Sequence, residues 1–225
     1  MKFKNIALTL VAASALASAA DGDTHERVTK ATTLFKEIMA APDKGMPEWV
    51  LHRAHCAVIV PGMKSGGFIV GAKYGKGVMT CRGANGGWSA PSAIRVEGGS
   101  VGFQIGVSET DAILMVMNAE GKNKLLKSEF TLGGSAAAVA GPVGRSAKAE
   151  TDALMHAQIL SYSRSRGVFA GIALEGGTLR ADDSENKELY GRPIERQEII
   201  NGKVAMPSEA HELVALLNKY SFQEK

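Results

Sequence analysis

The stretch "SAIRVEGGSVGFQIGVSETDAILMVMN", residues 92–118, decides how the chain is read. It contains a G-x-S-x-G at Gly98 to Gly102, the pattern of a hydrolase nucleophile elbow centred on Ser100. An elbow needs a strand before the serine and a helix after it, within a parallel α/β sheet. Here Val101, Phe103, Ile105 and Val107 continue at spacing two, which is strand periodicity. No alternation of strand and helix surrounds the motif. Ser100 is therefore expected to be structural, with a hairpin turn at Gly98–Gly99 and small residues on a coiled strand.

Working outward, "CAVIVPGMKSGGFIVGAKYGKGVMTCRG" (residues 56–83) has the same texture of β-branched runs broken by glycine and lysine. Together the two stretches predict long strands in hairpins, with glycines that permit bulges and close backbone approach. Residues 157–179 predict two strands around Gly167, and the small-residue run at 131–150 predicts a tight, close-packed turn. Helices are predicted at 24–40 (stripe Val28, Ala31, Leu34, Phe35, Ile38), from Pro47, at 182–190 and at 208–220. The fold class that follows is α+β: a strongly coiled antiparallel β-sheet or partly closed barrel with packed N- and C-terminal helices.

The N-terminus carries Lys2 and Lys4, an apolar run from Ile6 to Ala17, and Ala17-Ser18-Ala19. That is the pattern of a secretory signal peptide over residues 1–19, followed by one domain over 20–225. The expected location is therefore exported, periplasmic or secreted. The apolar run is shorter than the roughly 20 residues that span a bilayer, and no transmembrane segment is expected.

The 225-residue chain has 26 basic and 23 acidic residues, a net charge of +3. The signal holds two of the lysines and no acid, so the mature chain is near neutral and nucleic acid is not an expected partner. Locally the balance differs. No Asp or Glu occurs between Glu48 and Glu97, a stretch that carries Arg53, Lys64, Lys73, Lys76, Arg82 and Arg95. Lys64, Lys73, Lys76 and Arg82 are the candidate anion-binding residues, the lysines flanking glycine-rich hairpins where exposed side chains can converge. Trp88 suits either a membrane interface or the core.

Two metal or phosphate readings fail on spacing. "HRAHC" (His52, His55, Cys56) lacks the i, i+4 histidine pair of a helical zinc site, and "GPVGRSAK" lacks the G-K-[ST] ending of a phosphate loop. No metal, cofactor or catalytic residue is assigned. Cys56 and Cys81 lie in strand-like runs, and both a disulfide and two buried thiols are open.

Several words together resemble the SYLF domain, also called the Ysc84 actin-binding domain. They are "AVIVPGMKSGGFIVGAKYGKGVM" (57–79), "CRGANGGWSAPSAIRVEGGSVGFQIG" (81–106), "GPVGRSA" (141–147), "YSRSRGVFAGIALEGGTL" (162–179) and "NKELYG" (186–191). The resemblance implies a non-enzymatic lipid-binding module whose ligands are phosphoinositide-like or other acidic phospholipids. Eukaryotic members also bind actin filaments and are often joined to SH3 or FYVE domains. For an exported member, an acidic phospholipid or membrane surface is the expected partner. An envelope protein-interaction or structural role without a lipid is the alternative.

Overall fold

The computed structural model describes residues 23–41, 43–67, 70–83, 85–101, 106–127, 129–132, 138–144, 157–165, 167–171, 176–202 and 204–221. The expected signal peptide lies outside them.

Helix α1 (Thr24–Ala40) starts where the Asp23 carboxylate accepts the His25 N–H, and its apolar stripe is fully buried. A short α2 (Glu48–Arg53) follows Pro47. Four long strands come next: β1 (Cys56–Gly67), β2 (Val70–Cys81), β3 (Ser92–Val101) and β4 (Gly106–Val116). After α3 (Ala119–Leu125) come β5 (Glu129–Thr131), β6 (Ala138–Ala140), β7 (Ile159–Ser165), β8 (Val168–Gly171) and β9 (Gly177–Ala181). Helices α4 (Asp183–Tyr190) and α5 (Arg196–Ile200) precede a 3-10 turn at Ser208–Ala210, which runs into α6 (His211–Ser221).

The strands form one sheet in the order β5-β9-β3-β2-β1-β4-β7-β6, with β8 also on β7. All pairings are antiparallel except β6 with β7, so the sheet is mixed. Alternation along the strands, broken at one bulge in β1, separates two cores. Ala57, Ile59, Ile113, Met115, Leu160 and Tyr162 face α1, α2 and α6. Val58, Val60, Met79, Ile94, Leu114 and Val116 form the other core with Phe130, Leu132 and Leu179.

That second core shows the curl. In the sheet order β9 is four strands from β4, about 19 Å in a flat sheet. Yet Val60, Val96, Leu114, Leu132 and Gly177 line one small apolar cavity. The sheet wraps around its own inner face as a partly closed barrel. Leu125 of α3 and Ile200 of α5 also belong to this inner core. The architecture is α+β with a strongly curled sheet, as the sequence predicts.

Two local expectations are corrected. Gly98 and Gly99 make no turn: both lie inside β3, opposite Lys73 and Ala72. A Cβ on Gly98 would stand 2.3 Å from the Gly176 carbonyl oxygen, so the glycine admits the backbone at the start of β9. Residues 157–179 hold three strands, because Gly177 opens β9 after the hairpin at Gly167. The cysteine question is also resolved. Cys56 and Cys81 stand opposite each other in the β1–β2 ladder and are disulfide-bonded, both fully buried.

Candidate functional site

Ser100 pairs with Gly71, next to the last pair of the β2–β3 ladder. It is not on a strand-to-helix turn, and the geometry of an elbow is absent there. The bonded cysteines offer no thiolates to a metal. Among the described residues no group of three His, Cys, Asp or Glu is placed to hold one.

The four candidate cations are not brought together. The β1–β2 register sets Lys64 opposite Tyr74 and Ser65 opposite Lys73, so the two lysines belong to opposite faces of the sheet. Lys64 and Tyr74 share the helix side and are exposed; Lys73 borders the inner cavity. The β-bulge between Ile59 and Lys64 produces this arrangement, with Gly62 at φ +61° in the left-handed region. Glu109 stands opposite Lys64 on β4, and Glu97 opposite Tyr74 on β3. Lys76 is engaged elsewhere. Its ammonium lies 2.9 Å from buried Glu185, whose other oxygen is 2.5 Å from Arg27.

Arg82 closes the end of α2. Its guanidinium donates to the carbonyls of Leu51 (2.8 Å) and Ala54 (2.9 Å) and lies 5.1 Å from the centre of the Trp88 ring. Burial pulls its pKa below the ordinary arginine value. Trp88 is itself buried and donates to the Ser221 hydroxyl at 3.0 Å, so it is a core residue.

A second charged cluster pins α1 to the sheet. Asp111 accepts the Gly62 N–H at 2.8 Å and both Nε (2.7 Å) and Nη2 (2.6 Å) of Arg164. Arg164 also pairs with Glu37 of α1 and lies over the Phe169 ring. A cleft of about 640 Å³ opens beside it, lined by Arg27, Lys30, Lys64, Glu109 and Asp111 among others. Its charges are balanced within ion pairs for the most part, as in Lys30 with Glu26 and Arg27 with Glu185.

A third group is basic and was not anticipated. The ladders set Lys76 opposite Arg95 and Arg95 opposite Arg180, three cations across β2, β3 and β9 on the outer face. Glu97 bridges Arg95 (2.6 Å) and Arg180 (3.5 Å). Arg180 and Arg196 sit among acids in the sequence, which hides them from a search for acid-free runs.

The family-model comparison matches residues 97–220, more than half of the chain, to "Ysc84: Las17-binding protein actin regulator". The chain belongs to the Ysc84 family. It is 35% identical over 203 residues to the SH3 domain-containing YSC84-like protein 1 of Xenopus laevis, covering 87% of this chain and 60% of that protein. It is 35% identical over 185 residues to protein YSC84 of Saccharomyces cerevisiae, covering 80% of this chain and 39% of that protein. An SH3 domain-containing protein of Schizosaccharomyces pombe is 36% identical over 180 residues, 79% of this chain and 42% of its own. The chain thus spans about 60% of the frog Ysc84 relative and about 40% of the fungal ones. No solved structure matches it significantly. The family's description is that of a binding protein, and two of these three relatives are SH3 domain-containing by name.

Proposed function

We propose that this Ysc84-family chain is a non-enzymatic binding module of the cell envelope that recognises acidic phospholipid head groups. The observation that carries the reading is the exposed pair Lys64 and Tyr74 on adjacent strands, with Lys73 one residue away on the other side of the sheet. Tyr74 is 45% exposed, unusual for a large aromatic, and an aromatic beside a lysine suits a membrane interface. Glu97 and Glu109 flank the pair, so the attraction is short-ranged and falls with salt. Export is supported by the N-terminal sequence and by the buried disulfide, which suits an oxidising compartment.

The test is co-sedimentation with phosphatidylcholine vesicles that contain or lack phosphatidylglycerol. Acidic vesicles should bind the protein and neutral ones should not. A surface lysine near an anionic membrane is worth about 1 kcal/mol, so Lys64→Ala should weaken binding roughly fivefold. Lys76 and Arg82 are left intact because they hold the fold. Equal binding to both vesicle types overturns the reading.

A protein-interaction role is the second reading. The family model's match begins at residue 97, beyond both lysines, and its description names an actin regulator. Pelleting with actin filaments, together with indifference to vesicle charge, would favour it.

A further inference from the structure

We draw no further inference here: the strongest candidate, the open cleft of about 640 Å³ between α1 and the Gly62 bulge of β1, belongs through Lys64 to the site already described, and nothing in the structure shows what covers it.

Discussion

Gly141 lies against the hydroxyl end of Tyr162. A Cβ there would stand 2.3 Å from Cζ and 2.6 Å from both Cε atoms, and Tyr162 is fully buried in the helix-side core. The ring has no slack, so Gly141→Ala should destabilise by about 1–3 kcal/mol, read as a lower urea midpoint with an unchanged slope. His55 supplies a pH test. Burial, aided by the charges of Lys122 and Arg82, holds its imidazole below the ordinary histidine value. The folded chain therefore binds that proton less readily than the unfolded chain. Stability should rise with pH from that depressed value up to about pH 6.5 and fall on acidification through the same window. His55→Gln should shrink the difference in Tm between about pH 7.5 and about pH 5.5. At this scale the sequence shows that Lys64, Lys73 and Lys76 are cations on strands. It does not show which way each points, because one extra residue at the Gly62 bulge reverses the facing that a simple count predicts.

Helix α4 reads as polar and solvated, "DSENKELY", yet it buries Glu185 and Asn186. Glu185 holds Arg27 of α1 and Lys76 of β2 at once, and Asn186 accepts from the Ala93 N–H at 2.7 Å. One short helix thereby joins the N-terminal helix to two strands. Glu185→Gln takes the shared carboxylate from buried Arg27 and partly buried Lys76 and should cost about 3–5 kcal/mol. Lys76→Met should cost less, because Arg27 stays paired with the carboxylate; equal losses in chemical denaturation would contradict this division. The long amphipathic elements α1 and α6 were legible because their stripes repeat over several turns. The five-residue α5 and three-residue β6 were not, since so few residues carry no period. Their conformations follow from what they pack against. Arg196 of α5 illustrates the consequence for the site: its burial depends on the end of α3, some seventy residues earlier.

Across the whole molecule, β1 and β2 are joined both by their ladder and by Cys56–Cys81, a closure over 25 residues. Removing it with Cys56→Ala/Cys81→Ala should cost about 3 kcal/mol through the freedom regained by the unfolded chain. Reductant should lower the wild-type urea midpoint and leave that of the variant unchanged. The sequence by itself determined the class of fold, since period-two runs rich in glycine can only be coiled strands, and heptad-like stripes at both ends can only be docking helices. It also determined that Ser100 lies on a strand, although β3 ends at Val101 and the alternating residues Phe103 and Ile105 lie outside the described ones. Only the tertiary structure decided the curl that seats β9 over β4, the pairing of the two cysteines, and the placement of the charges. Strand facing, ion pairing and burial are relations between segments far apart in the chain. A local pattern records the charge of Lys76, Arg95, Arg180 and Arg196, and the folded sheet alone sets that the first three meet carboxylates while Arg196 donates to the carbonyls at the end of α3.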